Sequence, residues 1–216
     1  MRTKRIVIIG AGGHGRVVAD LCDLLGTWQE IVFLDDRFPA MDACGEWRVV
    51  GTMADIPAAA ADGNEFALGI GSNAVRMKFF EDVRKSGAVL PALVHPAAAV
   101  SPRSRLGAGS VVLATAAVNI GAETGAGVII NTGASVDHDC QLGDGVHICP
   151  GARLAGAVRV GDLAMIGVGS SVRQGITIGA GATVGAGAAV VADVLPGLVV
   201  AGVPAKPLRP SEGTAR

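Results

Sequence analysis

Two imidazoles and two thiols fall within twelve residues of this chain, as His138, Cys140, His147 and Cys149, and carboxylates flank the first of them at Asp137 and Asp139. A histidine titrates near neutral pH, so His138 can take a proton from an amine or hydroxyl as that group attacks an electrophile. The same four side chains have the donor types of a zinc site, and Cys140 those of a nucleophile. A second candidate is Gly10-Ala11-Gly12-Gly13-His14-Gly15, a G-x-G-x-x-G turn with Asp35 and Asp36 about 20 residues on. What any of these can do depends on the elements that carry them.

After residue 99 those elements repeat. Stepping by six from Val100 gives Leu106, Val112, Val118, Thr124, Ile130, Val136, Leu142, Ile148, Leu154, Val160, Ile166, Val172, Ile178, Val184 and Val190, with Thr124 the one non-aliphatic member. Four places after each stands a second small or aliphatic series that includes Ala122, Ala134, Cys140, Val146, Ala152 and Val158. Glycine often follows the first position, as at Gly107, Gly143, Gly161 and Gly185, where a tight corner calls for backbone freedom. A helix of period 3.6 cannot produce this pattern.

Within that register Cys140 is inward and His138, two places after inward Val136, is at a corner facing a cleft. His147 precedes inward Ile148 and faces outward from a flat side. Four ligands cannot converge without breaking the repeat, so no metal site is expected, and a thiol buried in an aliphatic stack is inert. His138 is left as the candidate general base.

The first 93 residues read differently. Arg5 to Ile9 and Glu30 to Leu34 are short β-branched strands around the glycine turn, and Val17 to Leu25 is a helical stretch. Backbone amides at Gly12, Gly13, His14 and Gly15, with the positive end of a helix, form a phosphate cradle. The space before the repeats holds about four or five strands, half of a dinucleotide fold, which favours a single nucleotide. Asp35 and Asp36 can accept hydrogen bonds from its base or ribose. Both Trp and all five Phe lie at or before Phe80, so two kinds of core meet between Phe80 and Val100.

A net charge of -1, from 18 basic and 19 acidic residues, argues against nucleic acid as a partner. No apolar stretch approaches the roughly 20 residues of a membrane helix, the basic N-terminus is followed by too short an apolar run for a signal peptide, and the cysteines show no paired spacing. A cytoplasmic protein with free thiols is expected.

The repeat resembles the left-handed parallel β-helix of the hexapeptide acyltransferases, in which three hexads make a triangular coil of 18 residues. Together, Gly10 to Val18, Asp35-Asp36, Ile70-Gly71-Ser72-Asn73, Val94-His95-Pro96 and Ile130-Asn131-Thr132 through Asp137-His138-Asp139-Cys140 resemble the sugar acetyltransferases of the PglD/NeuD type. The resemblance implies an α/β Rossmann-like nucleotide-sugar-binding domain with a parallel sheet (1–93), a left-handed β-helix that binds acetyl-CoA (94–195) and a tail (196–216). It implies N-acetylation of a nucleotide-linked 4-amino sugar, UDP-linked by preference, with acetyl-CoA as co-substrate, in a homotrimer whose sites lie at the seam between prisms.

Residue by residue, the resemblance gives His138 the role of base and Asp139, where many relatives carry Glu, that of orienting it, with Asp137 an alternative. Gly156, one coil above His138, donates its N–H to the oxyanion. His147 stands beside the thioester, Val168, Gly169, Gly185 and Ala186 along the pantetheine arm, and Lys206 by a CoA phosphate. Asn73 and Asn131 join the glycine turn and the acidic pair in the substrate site. An O-acetyltransferase would use the same base; an NAD-dependent sugar enzyme would explain the first 36 residues and nothing after Val100, and a scaffold without catalysis would leave the glycine turn unexplained.

Overall fold

The computed structural model describes residues 4–208. Arg5–Ile9 (β1) and Glu30–Leu34 (β2) form where the β-branched runs stand and pair in parallel. With Ala43–Cys44 (β3), Trp47–Gly51 (β4) and Glu65–Leu68 (β5) they make a five-stranded sheet in the order β3-β4-β2-β1-β5, parallel except for the β3–β4 hairpin. Three helices cover it: Gly13–Leu25 (α1), Ile56–Ala61 (α2) and Asn73–Lys85 (α3). The second half of the glycine motif is therefore the first turn of α1 rather than a loop.

From Leu93 on, two-residue strands stack with a register of 18, as Ile129 opposite His147, Ser135 opposite Arg153 and Gln141 opposite Arg159. The three columns are the faces of a left-handed prism. The first face carries Val111–Val112, Ile129–Ile130, His147–Ile148 and Met165–Ile166. On the second lie Ala117–Val118, Ser135–Val136 and Arg153–Leu154, and on the third Gln141–Leu142 and Arg159–Val160. Val136, Cys140, Ile148, Ile166 and Val184 are fully buried in its interior. Each touches its equivalents in the coils above and below, so a single coil has no core of its own.

Glycine does something other than the sequence pattern suggests. Left-handed backbone occurs at the fourth residue of the hexad, as at Gly127 and Gly145, not at the second. The second-position glycines serve close stacking instead: a Cβ on Gly107 would overlap the Gly125 carbonyl, and one on Gly167 the Val184 carbonyl. The coil also continues past Pro196. Val199–Ala201 pairs with Thr183–Val184 on the first face, and Lys206–Pro207 lies antiparallel to it. Residues 209–216 of the expected tail lie outside the described residues.

The N-terminal domain covers the first face. Leu93, Val111, Leu113 and Ile129 share one core with Ile6, Ile8, Val18, Leu21 and Phe33. On the far side of the sheet Val7, Val32, Phe66 and Leu68 pack with Ile56, Phe80 and Val83 of α2 and α3. Helix α3 runs past the corner between the third and first faces, where a Cβ on Gly127 or Gly145 would strike Met77.

Candidate active site

His138 stands at the opposite corner, between Ser135–Val136 of the second face and Gln141–Leu142 of the third. Its side chain is 56% exposed, and Nδ1 lies 2.9 Å from Asp139 Oδ2. Asp137 acts elsewhere, since its Oδ1 accepts the His138 backbone N–H at 2.7 Å and the Asn119 amide at 2.7 Å. One acid holds the ring and the other holds the main chain. The hydrogen bond to Asp139, then the charges of Asp137 and Asp139, raise the His138 pKa above its ordinary value. That raises proton affinity at Nε2, the nitrogen left open, as a base requires.

Gly156 adjoins that nitrogen, since a Cβ there would collide with His138 Nε2. Its N–H has no acceptor among the described residues, although its carbonyl is taken by Gly175 N–H at 3.0 Å. An unclaimed backbone donor beside an open imidazole nitrogen can bind an oxygen that gains negative charge.

The glycine turn forms one wall of a cleft of about 400 Å³, shared with Asp35, Asp36, Arg37, Met53, Gly69 to Gly71 and Phe79. Helix α1 starts its ladder at Arg16 N–H to the Gly12 carbonyl, 3.0 Å, so the N–H groups of Gly13, His14 and Gly15 are left for a ligand. Gly15 must be glycine, because a Cβ would overlap the Gly10 carbonyl and reach 3.1 Å from Phe33.

Two expected ligand residues are otherwise engaged. Asp35 accepts Ala11 N–H at 2.8 Å and Arg37 Nε at 2.7 Å, and Arg37 chiefly holds its carboxyl below the ordinary range. It braces the turn and leaves Asp36, whose Oδ1 accepts Met53 N–H at 3.0 Å, as the rim carboxylate. Asn73 spends its amide on the Leu163 and Ala164 carbonyls of the coil, at 2.9 and 3.1 Å. Those carbonyls are 90 and 91 residues away in the chain, and nothing in residue type announces them.

His147 faces outward as expected, yet it is covered by the N-terminal domain. Asn131 Nδ2 lies 3.1 Å from its Nε2, and the Gly71 carbonyl faces the ring. Burial, with the charge of Arg76 second, lowers its pKa to about 4, so the ring is neutral at pH 7. His14 lies close to it, lowered to about 4 by burial, and its buried Nε2 has no partner among the described residues. Val168, Gly169, Gly185 and Ala186 line the corner between the first and second faces, with Val168 53% exposed. Exposed Lys206 pairs with Ala201, the residue that a Cβ on Gly185 would meet at 2.8 Å. A single chain therefore sets the cleft, the His138 corner and the Val168 corner on different sides of the prism. Cys140 is buried, its Sγ 3.2 Å from the Ala155 carbonyl, and burial raises its pKa.

Such a nucleotide-type cleft joined to a hexapeptide prism with a corner His–Asp pair defines an acyltransferase-like architecture. Residues 5–83 match the PglD N-terminal domain. The UDP-N-acetylbacillosamine N-acetyltransferase of Bacillus subtilis is 36% identical over 117 residues, so that the match spans about half of each protein, 51% of this chain and 52% of the relative. The acetyltransferase domain of PglB from Neisseria gonorrhoeae in complex with acetyl coenzyme A superposes with a TM-score of 0.92 at 45% identity, over 96% of this chain and 100% of that one. PerB from Caulobacter crescentus, in complex with CoA and GDP-perosamine, gives 0.87 at 42% over 94% and 97%. The chain belongs to the PglD-type sugar acetyltransferase family. Among the described residues no helix is long and apolar enough to cross a membrane.

Proposed function

We propose that this protein transfers the acetyl group of acetyl-CoA to the amino group of a nucleotide-linked 4-amino-deoxysugar. The observation that carries the reading is the His138 Nδ1 to Asp139 Oδ2 bond at 2.9 Å, which leaves Nε2 open against Gly156, where a Cβ would stand. The sugar amine attacks the thioester carbonyl and its proton passes to His138 Nε2, Asp139 stabilising the imidazolium. Gly156 N–H receives the oxyanion, the C–S bond breaks as the C–N bond is kept, and the proton on His138 passes to the leaving CoA thiolate. No acyl-enzyme forms.

The glycine turn and Asp36 hold the nucleotide diphosphate and its ribose or base, with Asn131 at the substrate side. The corner of Val168, Gly169, Gly185 and Ala186 takes the pantetheine arm, and Lys206 a CoA phosphate. His147 borders that corner through Asn131. Because one prism holds these sets apart, a homotrimer that brings the His138 corner of one copy to the Val168 corner and cleft of another completes the site. UDP is preferred on the similarity to the Bacillus relative; the PerB complex contains GDP, so both belong in the assay.

The test is CoA thiol release with UDP- and GDP-linked 4-amino sugars, the corresponding hydroxyl sugars and unlinked amino sugars. Turnover with one nucleotide-linked amine supports the reading. Turnover with hydroxyl sugars alone replaces it by O-acetylation, and inert sugars throughout, with acetyl-CoA bound, would assign another acceptor.

A further inference from the structure

The least exposed charged side chain of the described residues belongs to neither the base nor the cleft. Arg76, on α3, is 1% exposed, and its guanidinium is satisfied by backbone and amide oxygens of both domains rather than by a carboxylate. Nε donates to the Gly127 carbonyl at 2.8 Å and Nη2 to the Gly145 carbonyl at 2.7 Å, both at the corner of the prism that α3 follows. Nη1 donates to the Ile70 and Gly71 carbonyls, each at 3.1 Å, and Nη2 also to Asn73 Oδ1 at 3.0 Å. Burying a cation is costly, and a planar fork of donors that meets several carbonyls is how that cost is offset. An apolar residue would fill the same space without fixing the angle between the two domains.

Ile70 and Gly71 are part of the cleft wall. Gly71 also faces His147, whose other nitrogen meets Asn131 at 3.1 Å. Asn131 heads the column that continues one coil at a time through Cys149, Gly167 and Gly185. A set of polar contacts thus runs from Arg76 and the cleft wall at Gly71 to His147 and Asn131.

We infer that Arg76 is a positioning residue for acceptor binding, which fixes the Ile70–Gly71 wall of the nucleotide cleft on the β-helix. The inference rests on the reading of that cleft as the nucleotide site. Neither ligand touches Arg76; it acts through the wall.

Calorimetric titration of the full chain with UDP, GDP and acetyl-CoA tests it, the parent being measured first. For Arg76→Met the expected result is a nucleotide Kd raised about tenfold or more, with the acetyl-CoA Kd within about twofold of the parent and partial recovery in Arg76→Lys. In turnover the acceptor KM rises by the same factor and the acetyl-CoA KM does not. Should Arg76→Met fail to fold, Asn73→Ala, which removes one acceptor of Arg76 and the two bonds to Leu163 and Ala164, is held to the same split. Nucleotide affinity unchanged in the folded variant, or both affinities lost in step with the folded fraction, would overturn the inference. A parent that binds neither UDP nor GDP would instead remove the nucleotide reading, and the inference with it.

Discussion

Asp139 reaches the His138 ring from a left-handed backbone, with φ +57 and Oδ2 2.9 Å from Nδ1. Non-glycine residues seldom adopt that conformation, and it costs of order 1 kcal/mol or more. The corner imposes this conformation along the column, on Gly121 and Gly175 and also on Ala157, one coil above Asp139, at φ +56. The strained position brings the carboxylate back over the preceding residue's ring.

With His138 as the proposed base, that pair should set the pH profile. His138 must be neutral to accept a proton, so kcat/KM should rise with pH through an apparent pKa above the ordinary 6.5, since Asp139 raises it. Asp139→Asn should move this limb to lower pH and reduce the plateau. His138→Asn should lower turnover about 100-fold or more with the circular dichroism spectrum unchanged. A limb that stays in place in Asp139→Asn would mean that the limb reports another group.

Gly156 carries a steric prediction. The Cβ of Gly156→Ala has to displace the His138 imidazole, whose Nε2 and Cε1 occupy its position. The corner is exposed and the ring can swing outward, so the fold should survive. The expected outcome is a fall in kcat of about 100-fold with the acetyl-CoA Kd changed little, measured by steady-state kinetics and titration. Unchanged kcat would show that the position of the ring does not matter to the reaction.

The buried imidazoles govern acid stability. His14 and His147 have folded pKa values of about 4 against an ordinary 6.5, because burial disfavours their charged forms. Between those values the unfolded chain binds protons that the folded chain does not. Stability should therefore be level above pH 6.5 as far as these groups are concerned and fall as pH drops toward 4. Melting temperatures across that range, compared with His147→Gln, measure the effect. The variant should lose part of the slope, and an identical slope would place the acid sensitivity elsewhere.

The hexad register made the coil, the corner position of His138 and the burial of Cys140 legible in the sequence, because a strict period converts residue number into direction. Likewise β1 and β2 stand where the β-branched runs ended, at Ile9 and Leu34. Asp35 was harder to read. An acid at a strand end has the same appearance whether it meets a ligand or, as here, Arg37 and the Ala11 N–H. Asn73, Arg76 and His147 depend on how two domains dock, which neither local propensity nor period specifies. One signal for the docking was present. Outward residues on the third face are Glu123, Gln141 and Arg159, whereas those on the first are Val111 and Ile129 beside inward Val112 and Ile130. Two aliphatic doublets 18 residues apart mark the covered side.

The covered face leads to the last prediction. Ile129 points away from the coil interior but is 1% exposed, in a core shared with Ile6, Ile8 and Phe33. Ile129→Ala removes methylene groups from that core and leaves a cavity that the flat β-helix cannot collapse to fill, so a loss of about 2–5 kcal/mol is expected. Gln141 occupies the equivalent outward position on the third face and is exposed, and Gln141→Ala should stay within about 0.5 kcal/mol of the parent. Denaturant titration of both variants separates the two faces. The prism retains its own interior core, so the Ile129→Ala transition should also divide, with the N-terminal sheet released at lower denaturant than the coil. Equal and small effects at both positions would mean that the first face contributes no more to stability than an open one.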